Sequence, residues 1–444
     1  PSPPLGPLLE EISEFDLLNA AQFGDSRKDT AEINGCTYIA SFNWLDQDKP
    51  TILIPGTPPA WTPLLESRAL EQDKGEYFRD PNAARFPTYP LEPAVRAVLT
   101  ENEDLETQKI DLFACSSTVG SLLRFVRRVD KPFRFFVEVV GNTVFFIRHE
   151  NTPTELIPEV KGYGHTFPEA YTTWNADVKG SASHQRLLRY DFAGLDCVLR
   201  FEADGYLGFM VPGGVKTPAS ASDLRNDKSQ DDLASTLDSM KVSSSFGGGE
   251  RSSGPLQIEI TGQKIPQEAI FDLKTRSAWK KELDVLGEEL PRCWVAQIPN
   301  FILAFHEAGM FNDITVRYIR DDVKKWQQEN QKDIKCLNWL VRKIIAIAKA
   351  RKDGKLEVRY KGLEALELRE QDTDEHNVLP PDLKLRWMEN DPSDDVNPRH
   401  NAKSTGGVSL PVSVFDTSAF GSDEEDEDYT ACSDECGYCG RCTY

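Results

Sequence analysis

A chain of 444 residues with 28% charged residues and a formal charge of −21 can bury a substantial core, and its length allows two or three domains. The charge argues against a protein that coats nucleic acid indiscriminately, so any such contact must come from a focused basic patch. The most apolar run, LVRKIIAIAKA, is short and basic, which argues against a membrane span.

Residues 1–30 read as a Pro-rich, weakly amphipathic extension. The opening PSPPLGPLLEEISEF lacks the basic-then-apolar layout of a secretory signal. Because the chain starts at Pro1 rather than methionine, an upstream targeting segment stays open. Next, 35–45 and 51–63 read as strands, the second ending in a Pro-rich turn, and 91–100 as a helix beginning near Pro93. KIDLFAC (109–115) is strand-like, SSTVG (116–120) a turn and SLLRFVRRV (121–129) an amphipathic helix. FRFFVEVVGNTVFFIRHE (133–150) is a hairpin about Gly141-Asn142, and 184–211 gives two strands around Gly194.

Residues 212–255 are dominated by Ser, Asp, Gly and Lys and read as a disordered insertion, since they cannot bury enough apolar area to offset chain entropy. AIFDLKTRS (269–277) alternates as a strand, ELPRCWVAQI is helical and 300–319 is a strand pair. One long helix is expected over 321–351, capped by Asp321 or Asp322 and stopped by Gly354. The stretch 371–431 looks loosely structured and includes the acidic run DEEDED (423–428); 432–444 is a Cys-rich tail. The folded part is thus 31–211 with 256–370. Cys36, Cys115, Cys197, Cys293 and Cys336 stand singly in apolar contexts, as reduced thiols do, which points to nucleus or cytoplasm.

Two short motifs carry chemistry. RFEADGY places Glu202 and Asp204 two residues apart, and IFDLKTR does the same for Asp272 and Lys274. On a strand, residues i and i+2 share a face. If the two strands pair, three carboxylates and an ammonium converge, a set suited to Mg2+ or Mn2+ and to in-line attack at phosphorus. Either motif alone is equally the solvated face of an edge strand.

The order of elements from about 109 to 320 resembles the decapping exoribonuclease (DXO-like) family. KIDLFACSSTVGSLLRFVRRV with the hairpin after it is similar to the strand–helix–hairpin that precedes that family's active site. KGYGHTFPEAYTTW resembles its Gly-aromatic-x-aromatic-Glu motif, LRFEADGY its Glu-x-Asp strand and IFDLKTRSAWK its Glu-x-Lys strand, and CWVAQIPNFILAFHEAGMF its Trp–Gln helix and following strand. The resemblance implies an α+β fold with mixed sheets flanked by helices around a PD-(D/E)XK nuclease-like core. It further implies metal-dependent hydrolysis at RNA 5′ ends: cap removal, pyrophosphate release or 5′–3′ trimming. Nuclear members partner a 5′–3′ exoribonuclease, so RNA and such a protein are the implied partners. By position, Glu202, Asp204 and Asp272 would bind metal with the carbonyl of Leu273, Lys274 would be the catalytic lysine, and Gln297 would hold a water. The chain departs from the pattern at Pro168, where the family has glutamate and Glu169 follows one residue late. It departs again at Asp272 in place of Glu, and at Ser117 in place of an RNA-contacting arginine. The alternative is a catalytically inactive member of the fold that binds RNA or protein.

A basic strip of Arg124, Arg127, Arg128, Lys131 and Arg134, joined by Arg276, Lys280 and Lys281, would grip RNA phosphates or simply be solvated. Cys432, Cys436, Cys439 and Cys442 are spaced for a Zn2+ site, or equally for redox-active or free thiols. His165, His184 and His306 are isolated and more simply read as hydrogen-bonded. The serines of 116–121 lack a His–Asp arrangement, FGGGERSSG lacks the Lys-Ser/Thr ending of a phosphate loop, and DPSDD is Pro-broken. These exclude a serine hydrolase, a P-loop enzyme and a prenyl diphosphate synthase.

Overall fold

The computed structural model describes residues 5–23, 30–150, 152–157, 160–213, 254–362, 365–371 and 377–389. Its strands are β1 (Leu8–Ile12), β2 (Ile33–Leu45), β3 (Thr51–Gly56), β4 (Ala60–Trp61), β5 (Leu112–Cys115), β6 (Phe133–Val140), β7 (Thr143–Arg148), β8 (Thr172–Thr173) and β9 (Ser181–Phe192). They continue with β10 (Leu195–Glu202), β11 (Gly205–Tyr206), β12 (Gln257–Gly262), β13 (Ile270–Ser277), β14 (Asn300–Glu307), β15 (Met310–Tyr318), β16 (Lys355–Tyr360) and β17 (Leu366–Arg369). The helices are α1 (Glu14–Phe23), α2 (Pro81–Arg85), α3 (Glu92–Glu101), α4 (Ser116–Val126), α5 (Thr166–Tyr171), α6 (Val285–Ala296), α7 (Arg320–Glu329), α8 (Gln331–Ala350) and α9 (Pro381–Glu389). None of the described helices is long and apolar enough to cross a membrane.

The expected α+β class holds. An 11-stranded mixed sheet runs β1-β17-β16-β6-β7-β5-β10-β9-β2-β3-β12, and a 6-stranded sheet runs β15-β14-β13-β11-β4-β8. The large sheet is packed on both faces. One face buries Val119, Leu122 and Leu123 of α4 with Leu337, Leu340 and Ile344 of α8. The other buries Val95 and Val98 of α3 with Leu383 and Trp387 of α9. Double coverage explains why β5, LFAC, reads as an unbroken apolar run.

Four local readings change. SSTVG is not a turn: it forms the opening turns of α4, which begins at Ser116 directly after β5. The expected long helix is two, broken at Asn330, and Asp321 and Asp322 lie in the first turn of α7 while Ile319 occupies the cap position. The second helix ends at Ala350, before Gly354. The N-terminal extension supplies β1, an edge strand paired with β17. Within the stretch read as loose, α9 seats Trp387, fully buried, against Phe113 and Phe145 at ring distances of 5.8 and 5.6 Å. Its indole Nε1 donates to Thr143 Oγ1 at 3.0 Å. The 214–253 part of the Ser/Gly-rich insertion and the tail from 390 onward lie outside the described residues.

Trp387 therefore acts as a core residue, not as part of a tail. Trp387→Ala should lower unfolding stability by about 3–5 kcal/mol, read from the urea midpoint at constant m-value. A change under about 0.5 kcal/mol would mean that α9 is only tethered.

Candidate active site

Two of the four places where the chain leaves the large sheet for the small one are neighbours, between β3 and β4 and between β10 and β11. The two arrivals pair in parallel, Tyr206 opposite Ala60. On its other side β11 runs antiparallel to β13, with Gly205 opposite Phe271 and Tyr206 opposite Ile270. Carried one step back, that register sets Asp204 across from Asp272. Gly205 is required here: a Cβ would stand 2.5 Å from the Phe271 ring and 2.6 Å from the Pro59 carbonyl oxygen.

The sequence reading put Glu202 and Asp204 on one strand. Instead β10 ends at Glu202, Ala203 donates its N–H to the His184 carbonyl at 3.0 Å, and Asp204 already belongs to the other sheet's edge. The acids are divided by that step. Asp204 turns inward, where its Oδ2 accepts the Leu273 N–H at 2.6 Å. Glu202 keeps an exposed side chain whose Oε2 accepts from Gln185 Nε2 at 3.1 Å. Crowding by the surrounding protein nevertheless pushes the Glu202 pKa up, against the Gln185 hydrogen bond.

Asp272 and Lys274 lie two apart on β13 and are 2% and 3% exposed, and both act on Asp204. Burial and the facing Asp272 carboxylate, within hydrogen-bonding reach, drive the Asp204 pKa well above its ordinary value. Burial also opposes ionisation of Asp272, but Arg292 and Lys274 outweigh it and hold that carboxyl below the usual range. The two facing acids thus diverge: the charged form is favoured at Asp272 and disfavoured at Asp204.

Arg292, on α6, was not anticipated. It forms a short ion pair with Asp272 Oδ2 and a second with Glu289 at 3.0 Å, while Glu289 also meets Arg276 at 3.4 Å. The signal available in sequence was the lone arginine in the otherwise apolar end of ELPRCWVAQI. Three acids (Asp204, Asp272, Glu289) face three bases (Lys274, Arg276, Arg292). Asp204 and Asp272 offer the hard oxygen donors a divalent cation takes. Among the described residues, however, no three His, Cys, Asp or Glu side chains are gathered closely enough to hold one. The expected third carboxylate, Glu202, is the one the sheet crossing holds off.

Other candidates are placed elsewhere. Glu169 is exposed on the short helix α5, not in a bulged strand, and its charge bears on Tyr77. Gln297 ends α6 in a left-handed conformation, its Nε2 donating to the Trp294 carbonyl at 2.5 Å, so its amide closes its own helix. Arg276 is 1% exposed and tied to Glu289, which removes it from any RNA surface. Arg127 lies over the Trp326 ring at 5.7 Å and Arg128 pairs with Glu14. Both stand just beyond α4, a helix length of about 16 Å from the end beside Glu202. His184 is buried against Asn43 Oδ1 at 2.6 Å, His165 stacks on Tyr77 and meets Asp73 at 3.2 Å, and His306 packs against Tyr163 and Phe311. Cys432, Cys436, Cys439 and Cys442 lie outside the described residues.

Residues 21–374 match the family described as "Domain of unknown function (DUF8563)". No curated protein matches the sequence significantly. Among solved structures, Rai1 of Scheffersomyces stipitis, in complex with 3′-NADP+ and a calcium ion, is similar with a TM-score of 0.51 at 10% identity, over 81% of this chain and 96% of that one. Rai1 of S. pombe gives 0.49 at 10% identity, over 82% and 99%. Rai1 of Candida albicans in complex with pU5-Mn2+ gives 0.49 at 10%, over 82% and 97%. The fold of the Scheffersomyces protein is the fold of this chain.

The unequal sharing of charge between the facing aspartates gives their amides opposite effects. Asp204 binds a proton more tightly folded than unfolded, so it costs stability as pH rises above the unfolded value of about 3.9. Asp272 is the reverse, contributing stability above that value and losing it as pH falls through its lowered folded pKa. Asp204→Asn should accordingly raise the urea midpoint at pH 7.5 and not at pH 3.5. Asp272→Asn, which strands Arg292, should cost about 3–5 kcal/mol at pH 7.5. Equal effects of the two at pH 7.5 would contradict this assignment.

Proposed function

We propose that this chain, which belongs to the DUF8563 family and carries the fold of Rai1, is a divalent-cation-dependent hydrolase of phosphate bonds at RNA 5′ ends. The observation that carries the reading is the meeting of half-buried Asp204 with buried Asp272 and Lys274 where the chain passes between sheets. Nucleotide and calcium in the Scheffersomyces complex support the ligand class.

Asp204 and Asp272 would hold the cation, with the Leu273 carbonyl as a further donor; Glu202, held off by the sheet crossing, would not be among its ligands. When bound, Mg2+ or Mn2+ would offset the repulsion of the pair and polarise a phosphoryl oxygen. Lys274, on the face of Asp272, stabilises the negative charge that grows on the phosphoryl oxygens. Arg292 competes for Asp272, and its side chain, 26% exposed, has room to swing out. The reading does not use Glu169 or Gln297. The five cysteines of the described part are free thiols, which suits nucleus or cytoplasm.

The Arg292–Asp272 pair favours a second reading, in which the arginine permanently supplies the positive charge and the protein binds RNA without cutting it. Incubation with capped, triphosphorylated and monophosphorylated RNA in Mn2+ separates the two. Under the first reading, Asp204→Ala and Lys274→Ala each lower turnover by at least about 100-fold. Activity that survives both substitutions would place the chemistry elsewhere. Wild-type protein that binds RNA but turns over none of the three substrates would establish the second.

A further inference from the structure

We infer a separate phosphate-binding pocket along the flank of α4, which grips the backbone of a single-stranded RNA whose end lies at the Asp204–Asp272 site. It rests on the RNA reading above and adds the residues that hold the strand.

A cleft of about 110 Å³ opens there, lined by Arg79, Arg124, Lys131, Arg134 and Arg148 with Glu150 as its one acid. Several of these bases are spoken for: Arg148 by Glu150, Arg134 by Glu357 and Arg79 by Glu155. Arg124 is different. Its Nη2 donates to Ser121 Oγ at 2.9 Å, its Nε is buried without a partner, and it meets no carboxylate among the described residues. Burial, with the charge of Arg148 beside it, lowers its pKa to about 10. An uncompensated buried guanidinium is costly unless an anion completes it.

A second feature faces the same space. Thr118, 4% exposed and lining the cleft, has an unpartnered Oγ1. A guanidinium and a hydroxyl, each with a buried unpartnered atom, lining one small basic volume are a phosphate site by chemistry.

Position argues for RNA over a free anion. Cys115, just before α4, lies across from Arg200 on β10, two residues short of Glu202. Arg148 ends β7, the next strand beyond β5, which runs parallel to it. Arg148 of the pocket and Glu202 therefore end on one edge of the large sheet, about two strand spacings or roughly 10 Å apart, and Asp204 follows Glu202 by two residues, so that one extended strand reaches from the pocket to the acids.

Binding of fluorescein-labelled, 5′-phosphorylated decauridylate to the full chain, measured by anisotropy in EDTA over a range of salt, tests this without turnover. Arg124→Met should weaken binding about tenfold and reduce the slope of log K against log salt by about 0.7. Ser117→Glu keeps a residue that α4 favours near its start yet opposes phosphate, and should weaken binding at least as much even if Arg124→Met fails to fold. Unchanged affinity and slope in folded variants would overturn the pocket. So would inorganic phosphate protecting the protein from thermal unfolding through Arg124 while decauridylate binding ignores Arg124. Loss of hydrolysis in Asp204→Ala with these variants silent would spare the active-site reading. Arg124-dependent binding by a protein that cuts nothing would spare the pocket instead.

Discussion

Two carboxylates that must share one buried space set the terms for the rest of this molecule. Asp204 and Asp272 meet because β11 and β13 run antiparallel with Gly205 at the point of contact. Left alone they would repel strongly in a low-dielectric interior. The structure meets this with Arg292 and Lys274 on the Asp272 side and a proton on the Asp204 side. The second shell follows from the first: Glu289 is needed to steady Arg292, and Arg276 to balance Glu289.

The same logic answers the objection raised by the charge of −21. Part of the protein's positive charge is placed inside: Arg85, Arg186, Arg200, Lys274 and Arg276 are buried. Arg186 is fully buried, donating to the Ile265 carbonyl at 2.5 Å and to Gln267 Oε1 at 2.6 Å, with its pKa pushed down to about 10 by burial.

How much of this could be read in the residues depends on the range of the interactions involved. Gly141-Asn142 located the β6–β7 hairpin, because turn chemistry is a local signal. The acid and lysine of β13 were legible for the same reason. Glu202 and Asp204 looked like one strand face, since nothing in RFEADGY says that the chain changes sheets at Ala203; that is decided by pairing with Pro59, His184 and Phe271. SSTVG looked like a turn because β-branched and hydroxyl residues favour helices little, and packing on the large sheet overrode the propensity. Arg292 was invisible as a site residue because only the folding of α6 against β13 brings it to Asp272.

Ser117 and Arg124 connect these threads. The resemblance places an RNA-contacting arginine at Ser117, and the chain lacks it. Arg124 stands seven residues, two helical turns, further along the same face of α4, with Ser117, Thr118 and Ser121 lining the path between. Moving a cation two turns shifts the grip by about 10 Å away from Glu202. On the pocket proposed above, the protein then holds a phosphate inside the strand more firmly than the one at its end. Selection would pass from the chemistry of the 5′ terminus to the length and flexibility of the single strand behind it. That fits a cleft in which Asp272 already has an internal counter-charge and the first few nucleotides must be delivered to the acids rather than captured by them.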